Sequence, residues 1–310
     1  MIQLKHKGYM PAYRISERTT IMLFSTQLEQ IAVGVGRERG IELLAEAGFP
    51  AIDITIFGDI DYVLADDWRE TAQRYKATAD RCGVIFNQAH APICGTYEQY
   101  VNELIPLMPR VFEFASILGV RQIVVHPITR GRHNGHEEEL FETNMEFYRS
   151  LAPHAKRLGL KVCLENMWSI NPLTGCVCEE VCSDPRELIR YYEALNDPEV
   201  FTICLDLGHV AICGREPQDV IRAIGHDRLG ALHIHDVDYL HDMHTIPGVG
   251  KINWDEVCRA LADIDYKGEF TLEADQFMIK YEIPFRPQVA RFMADICKYM
   301  VEKIETYKKC

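Results

Sequence analysis

Nine residues of the types that bind divalent metals are spread along the chain, and most of them stand where a short apolar run ends. They are His90, His126, Glu165, Asp206, His209, His233, Asp242, His244 and Glu273. The runs read VIFNQAH, QIVVHP, KVCLEN, TICLDLGH, ALHIHD and FTLEAD. Each of them ends in a polar side chain that a buried strand would otherwise disfavour. The pattern predicts a metal site where several strands end together.

The elements that would position these residues follow from hydrophobic periodicity. Short apolar runs predict eight strands, at 20–25, 51–57, 84–90, 122–126, 161–165, 201–206, 230–235 and 269–273. Amphipathic segments between them predict eight helices, at 37–47, 68–82, 97–118, 137–158, 184–195, 217–224, 254–263 and 287–307. Left-handed helix caps before a strand are expected at Gly48, Gly83, Gly119, Gly159 and Gly268. Eight βα units predict an α/β fold, a closed (β/α)8 or TIM barrel in a single domain.

Composition and charge narrow the class of protein. The 310 residues, 47% of them apolar, suffice for one barrel of the usual size, preceded by an N-terminal arm at 1–18, with the barrel at 19–310. A formal charge of −13 and the lack of a basic run argue against nucleic-acid binding. The sequence has no long apolar span, its first residues MIQLKHKGYMPAYR lack the apolar segment of a signal peptide, and its eleven cysteines are odd in number. We therefore expect a soluble, cytoplasmic protein with reduced thiols and no membrane partner.

Four of the nine residues form the sharpest candidate set. In a barrel of this kind, functional side chains lie at the carboxyl ends of the strands. The ends of the fifth to eighth predicted strands carry Glu165, Asp206, His233 and Glu273. Such a mostly oxygen set suits Mn²⁺, Mg²⁺ or Co²⁺, and its imidazole also admits Fe²⁺ or Zn²⁺. A buried ion-pair network without metal is the alternative, but three converging carboxylates would repel one another.

Other residues receive weaker assignments. His154 and His226 fall on a predicted helix or at the opposite end of the barrel, and we expect them to be surface residues. Strand alternation turns His235 to the same side as His233 and turns Asp236 away. The cluster of Cys176, Cys178 and Cys182 lacks the paired spacing of a zinc site, and we interpret these residues as loop thiols.

The order of these motifs resembles a known superfamily. HAPI, VVHP, CLEN, LDLGH, HIHD, HDMHTIPGVGKINW and TLEAD follow one another as in the xylose isomerase-like TIM-barrel superfamily, over about residues 20 to 300. That superfamily contains sugar isomerases and epimerases as well as the endonuclease IV family. The resemblance implies that Glu165, Asp206, His233 and Glu273 hold one divalent metal, and that His209 binds a substrate oxygen.

The resemblance implies an enzyme that isomerises or epimerises a small sugar or sugar derivative. The metal would stabilise an enediolate while a glutamate, Glu165 or Glu273, acts as the catalytic base. Proton removal by one glutamate and return by the other, from the opposite face, gives an epimer, whereas a single base gives an aldose–ketose pair. Trp168 either forms an apolar wall against the sugar or packs on the barrel rim. The family relationship is also compatible with a homo-oligomer.

Alternative functions use the same residues. In endonuclease IV proteins the positions of His90, His126 and Glu165 hold one zinc, and those of His209, Asp242 and His244 hold another. We therefore expect the set His90, His126, His209, Asp242 and His244 to bind either substrate or additional metal. The chain departs from that family where it reads LENMWS and LDLGHVAICG rather than LENTAG and DTCH. An inosose-type dehydratase, or a barrel that binds a sugar or partner without turnover, are further alternatives.

Overall fold

Eight parallel strands of the chain close into a barrel. The computed structural model describes residues 22–94, 96–129 and 133–309. In chain order the strands are β1 (Phe24–Gln27), β2 (Ala51–Thr55), β3 (Ile85–His90), β4 (Gln122–Val125), β5 (Lys161–Glu165), β6 (Trp168–Ile170), β7 (Val177–Glu179), β8 (Phe201–Asp206), β9 (Leu229–His233) and β10 (Phe270–Leu272). The barrel order is β10-β1-β2-β3-β4-β5-β8-β9, and a parallel bridge between Ile234 and Leu272 joins its two edges. The predicted single-domain (β/α)8 barrel is confirmed.

Helices surround the barrel. They are α1 (Glu29–Ala32), α2 (Arg37–Ala47), α3 (Asp61–Leu64), α4 (Trp68–Cys82), α5 (Tyr97–Gln99), α6 (Ile105–Leu118), α7 (Glu137–Leu158), α8 (Pro185–Leu195), α9 (Leu207–Ile212), α10 (Pro217–Ile224), α11 (Trp254–Asp263), α12 (Asp275–Met278) and α13 (Arg286–Tyr307). A π-helical turn at Tyr100–Leu104 joins α5 to α6, and a 3₁₀ turn at Ile283–Phe285 precedes α13. No helix in the described part of the chain has the length and hydropathy that a bilayer-spanning segment needs.

Helix ends agree with the prediction where a glycine stops the helix. Left-handed caps follow α2, α4, α6 and α7 at Gly48, Gly83, Gly119 and Gly159. The prediction for Gly268 was wrong, because α11 ends at Asp263 and is capped by Ile264. A Cβ at Gly268 would lie 2.5 Å from the carbonyl oxygen of Gly230, so glycine is needed there for close approach to a strand.

Two other predictions need correction. The first strand lies at Phe24–Gln27, later than the predicted 20–25, while the predicted arm at 1–18 lies outside the described residues. The loop after β5 contains an antiparallel hairpin, β6–β7, that periodicity did not predict. Cys178 lies on β7 of this hairpin and is not a loop thiol, whereas Cys182 lies in the turn that follows and is fully buried.

The barrel interior places the candidate ligands on one face of their strands. Four small buried side chains form a cluster separate from the main core: Val124, Cys163, Cys204 and Ala231. Side chains alternate between the two faces of a strand, so the residue two positions later points to the same side. Those residues are His126, Glu165, Asp206 and His233. The site therefore lies directly above this apolar layer, at the carboxyl end of the barrel.

Candidate metal and active site

The predicted four-residue set converges in the structure. Ligand-type atoms of Glu165, Asp206, His233 and Glu273 all lie within 4.8 Å of one another, and all four residues are buried. His233 Nδ1 is central, at 2.9 Å from Glu165 Oε1, 3.0 Å from Glu273 Oε2 and 4.0 Å from Asp206 Oδ2. One imidazole nitrogen thus faces three carboxylates, which is the donor set expected for a divalent cation.

Glu165 connects this set to two further histidines. Its Oε2 atom lies 2.9 Å from His126 Nε2 and 3.3 Å from His90 Nε2. Ligand-type atoms of the three residues also lie within 4.8 Å of one another. The His90 ring makes edge-to-face contacts with the rings of His126 and Phe57, with ring centroids 4.6 and 5.0 Å apart. The structure therefore assembles the predicted histidines around the carboxylate that ends β5.

Asp206 has a backbone role as well as a position among the ligands. It is the N-cap of α9, where its Oδ1 accepts a hydrogen bond of 2.7 Å from the backbone N–H of His209. The side-chain amide of Asn166 makes two hydrogen bonds with the backbone of Asp206. It accepts one from the N–H at 2.8 Å and donates one to the carbonyl oxygen at 3.0 Å. His209 Nδ1 lies 2.8 Å from the Asn166 carbonyl oxygen. When Nδ1 donates there, Nε2 of His209 is left with a lone pair.

A second group of ligand-type residues lies beside the first. Its members are His209, His235, Asp242 and His244, again with atoms within 4.8 Å of one another. His244 Nε2 lies 3.1 Å from Asp242 Oδ2, and the rings of His235 and His244 stack with centroids 4.1 Å apart. The backbone of His244 has a φ of 38°, a left-handed value that is unusual for a residue with a side chain. All nine predicted residues are thus brought together, and His235 joins them.

A buried carboxylate positions the loop that carries Asp242 and His244. Asp236 accepts hydrogen bonds from the backbone N–H groups of Val237, Gly248 and Ile252, and from the Trp254 indole, at 2.8–3.1 Å. The backbone N–H of Gly248 therefore already donates a hydrogen bond, to the Asp236 carboxylate. A Cβ on Gly250 would lie 2.4 Å from Asp236 Oδ1, so this position has no room for a side chain.

When no cation is present, ionised carboxylates of the site face histidines, of which His233 and His244 have raised pKa values while burial lowers the pKa of His126. Burial alone would raise the pKa of Glu165, but the charges and hydrogen bonds of His233 and His126 hold it well below its ordinary value. The pKa of Glu273 is likewise held below its ordinary value, against the effect of burial, by His233 and His244. Burial would lower the pKa of His244, but its bond with Asp242 and the charge of Glu273 raise it to about 10.

The donor set fits a divalent metal. The first group offers three carboxylates and one imidazole, and the second offers one carboxylate and three imidazoles. In the second group, Asp242 Oδ1 is buried without a hydrogen-bond partner, as expected of an oxygen that meets either a cation or a substrate hydroxyl. Its side chain also lies 3.9 Å from His209 Nε2 and 3.8 Å from His235 Nε2. The residues present therefore fit a metal at the first group and provide ligands for another beside it.

A cavity of 390 Å³ opens above these residues. It is lined by Gln27, Phe57, His90, His126, Glu165, Met167, Trp168, His209, Asp242, His244, Glu273, Asp275 and Gln276. Trp168 lies at its wall on β6, with its ring centroid 6.3 Å from that of His209. In the described part of the chain, no Lys or Arg side chain lines this cavity. Sequence reasoning missed Gln27 and Phe57, although both follow apolar runs at strand ends.

The fold and the site define a parallel barrel with a carboxylate and histidine centre at its carboxyl end. The model of the xylose isomerase-like TIM barrel family matches residues 41–288, and the chain belongs to this family. The resemblance on which the sequence interpretation was based is thereby confirmed.

Comparison with curated proteins gives more distant relatives. The chain is 25% identical to the uncharacterized protein y4fM of Sinorhizobium fredii, over 77% of this chain and 81% of that protein. It is 28% identical to fructoselysine 3-epimerase of Escherichia coli O157:H7, over 46% of this chain and 50% of the enzyme. Similarity to inosose dehydratase 2 of Bacillus cereus is 32% identity over 26% of this chain and 33% of the enzyme. The aligned part thus covers half or less of these two enzymes.

Solved structures share the fold over nearly the whole chain. A D-tagatose 3-epimerase-like protein superposes with a TM-score of 0.72 and 20% identity, covering 92% of this chain and 99% of that one. At this level of identity the similarity concerns the barrel itself.

Proposed function

We propose that the protein is a divalent-metal-dependent enzyme that epimerises or isomerises a sugar or sugar derivative. The observation that carries this proposal is the placement of Glu165 and Glu273 at the carboxyl ends of the fifth and eighth barrel strands, with one oxygen of each 2.9 and 3.0 Å from His233 Nδ1. Two carboxylates approaching one centre from different strands is the arrangement that proton transfer on two faces of a substrate carbon needs. Similarity to a fructoselysine 3-epimerase supports the same chemistry.

The proposed reaction needs a metal site, two glutamate bases and side chains that bind the sugar. A divalent ion, held by Glu165, Asp206, His233 and Glu273, would supply Lewis-acid polarisation of a carbonyl and an adjacent hydroxyl. One glutamate removes the carbon-bound proton, and the other returns a proton from the opposite face. His209 Nε2 faces the cavity and binds a substrate hydroxyl, since its Nδ1 is engaged by the Asn166 carbonyl. Trp168 and Phe57 present apolar walls to the C–H surface of the sugar.

A second candidate function rests on the second group of ligands. His209, Asp242 and His244, together with His90 and His126, provide ligands for more than one ion. A cluster of several zinc ions suits phosphodiester hydrolysis of the endonuclease IV type, because it activates water and neutralises phosphate oxygens. The acidic cavity and the net charge of −13 argue against a nucleic-acid substrate. Dehydration of an inosose is a third candidate, because it would need the same metal and base and because the chain is similar to an inosose dehydratase.

The test is a solvent-exchange assay with metal-loaded protein. Ketohexoses and an inosose are incubated in D₂O with Mn²⁺ or Co²⁺, and ¹H NMR follows loss of the carbon-bound proton and appearance of product. An epimer carrying deuterium at the inverted carbon is expected from the wild type. We expect no product with Glu165→Gln or Glu273→Gln, while His154→Ala, at a partly buried position on α7 outside the ligand groups, serves as the control. A product with a C=C bond or a new keto group would indicate dehydration instead.

The metal content of the protein distinguishes the proposed sugar enzyme from the phosphodiesterase alternative. Protein purified without chelator is analysed for its elements, as wild type and as a His90→Ala/His244→Ala double variant. About one Mn, Co, Mg or Fe per chain, unchanged in the variant, is expected for the sugar enzyme. Two to three zinc ions per chain, falling in the variant, together with cleavage of abasic-site DNA, would overturn it.

A further inference from the structure

Three polar side chains form a row inside the barrel below the proposed metal site. Gln27 on β1 is paired in register with Asp53 on β2, and Asp53 is paired in register with Gln88 on β3. Paired residues of neighbouring parallel strands point to the same side, so Asp53 lies between the two glutamines. All three are buried, and Asp53 and Gln88 are fully inaccessible.

The outer ends of this row hold two of the proposed metal ligands. Gln27 Nε2 donates a hydrogen bond of 2.7 Å to Glu273 Oε1. Gln88 Nε2 lies 2.9 Å from Nε2 of His233. The row therefore links Glu273 and His233 through the barrel interior, with Asp53 in the middle.

The middle of the row contains only acceptors without donors. Four buried oxygens have no hydrogen-bond partner: Gln27 Oε1, Gln88 Oε1 and both carboxylate oxygens of Asp53. A buried polar atom without a partner costs stability, and native proteins satisfy nearly all of them. Asp53 is also not a member of the candidate ligand groups found in the described residues, so the metal itself does not satisfy it.

The requirements of His233 indicate how the row is completed. Nδ1 of this residue faces Glu165 and Glu273, so binding an ion there needs the Nδ1 lone pair and leaves the proton on Nε2. An Nε2–H group needs an acceptor, and the Gln88 amide provides one only when its oxygen faces the ring. In that orientation the amide NH₂ of Gln88 turns to the side where Oε1 now lies, and the acceptor next along the row is Asp53.

We propose that Asp53 is a positioning residue, which holds the Gln88 amide in the orientation that makes His233 a metal ligand and closes a hydrogen-bonded row from His233 to Glu273. One Asp53 oxygen accepts from Gln88 NH₂, and the other, carrying the carboxyl proton, donates to Gln27 Oε1. This arrangement satisfies all four oxygens. The inference rests on the metal-binding part of the proposed function but not on the identity of the substrate.

The surroundings of Asp53 favour a carboxyl group that keeps its proton. Burial, with smaller contributions from Glu273 and Glu165, raises its pKa to about 7 against the opposing charges of His233 and His90. An asparagine offers the same pair of groups, one donor and one acceptor, in nearly the same shape. Substitution by asparagine should therefore preserve the row, whereas leucine, of similar size, removes both groups.

The experiment measures metal binding without any sugar. Mn²⁺ and Co²⁺ are titrated by calorimetry into wild type, Asp53→Asn, Asp53→Leu, Gln88→Ala and the Asp53→Leu/Gln88→Ala double variant. The visible spectrum of bound Co²⁺ is recorded for each protein, and circular dichroism checks the fold. Asp53→Asn is expected to stay within about threefold of wild type, and Asp53→Leu to bind about 10 to 100 times more weakly with altered Co²⁺ bands, as is usual when the partner of a metal-bound histidine is lost.

The double variant decides whether Asp53 acts through Gln88. If it does, Gln88→Ala already removes the effect, and the double variant binds metal no more weakly than Gln88→Ala alone. Additive losses, or an Asp53→Asn variant as weak as Asp53→Leu, would overturn the inference. Unchanged binding by Asp53→Leu would do the same. If the metal affinities of the variants follow the expected order but no sugar is turned over, the proposed sugar chemistry is contradicted while the role of Asp53 is supported.

Discussion

The ring of His235 packs directly on the backbone of Gly208. A Cβ built at Gly208 would lie 1.9 Å from Cε1 of His235 and 2.4 Å from its Nε2. The same Nε2 lies 3.0 and 3.1 Å from the two oxygens of Asp206. The glycine of the LDLGH motif therefore makes room for the histidine that contacts a proposed ligand carboxylate, and this contact joins the two ligand groups.

We predict that alanine at Gly208 displaces His235. Overpacking of this kind should destabilise the fold by about 1–3 kcal/mol and weaken Mn²⁺ binding, because Asp206 loses its imidazole partner. Urea unfolding and calorimetric titration measure the two effects. In a His235→Ala background the same Gly208→Ala change has space, and it should be neutral or slightly stabilising because alanine favours helix. Equal costs in both backgrounds would refute the steric explanation.

The second prediction concerns Asp236, whose carboxylate accepts four hydrogen bonds from the loop and from Trp254. Asp236→Asn places an NH₂ group among donors, and we expect a loss of about 2–4 kcal/mol in the free energy of unfolding. Trp254→Phe removes only one of the four donors and serves as the milder comparison. An Asp236→Asn variant as stable as wild type would contradict this account.

The residues at the carboxyl ends of the strands could be predicted because parallel strands bring all such ends to one face. A Glu or His at the end of an apolar run, such as Glu165 or His233, therefore needs no further information to be placed in the site. The same reasoning cannot identify Asp53 and Gln88. The register between β2 and β3 shifts after Ile52, so that Gln88 rather than Asn87 faces Asp53, and periodicity does not show such a shift.

Two other features escaped prediction because their local sequence signals are short. The strands of the β6–β7 hairpin have three residues each, too few for an alternating pattern to be recognised. The π-helical turn before α6 interrupts a segment predicted as one helix over 97–118. It directly precedes Ile105 and Pro106, and Pro106 has no N–H to donate to the ordinary helical hydrogen bond.

The third prediction is that a divalent metal stabilises the folded protein. An ion at one hundred times its Kd adds about 2.7 kcal/mol, which corresponds to roughly 4 °C in Tm for a chain of this size. Differential scanning calorimetry with Mn²⁺, and after treatment with a chelator, measures the shift. Asp206→Asn removes one charged ligand of the first group and should abolish most of it. A shift that persists in this variant would place the stabilising ion elsewhere.

The fourth prediction concerns Glu29, which accepts a hydrogen bond of 3.1 Å from the backbone N–H of Thr55. Burial is the largest cause that raises the pKa of Glu29 from 4.5 to about 8. Below pH 4.5 the carboxyl is protonated in both the folded and the unfolded chain. As the pH rises towards 8, the unfolded chain loses this proton while the folded chain keeps it, so stability falls across this window.

Glu29→Gln should remove that part of the pH dependence. We expect the Tm of the wild type to fall by several degrees more than that of Glu29→Gln between pH 5 and pH 8. Glu70→Gln, at an exposed position on α4, is the matched control and should follow the wild type. Tm is measured by circular dichroism at constant ionic strength. Parallel curves for the wild type and Glu29→Gln would mean that the folded chain already holds Glu29 ionised at pH 5, through Arg37 nearby.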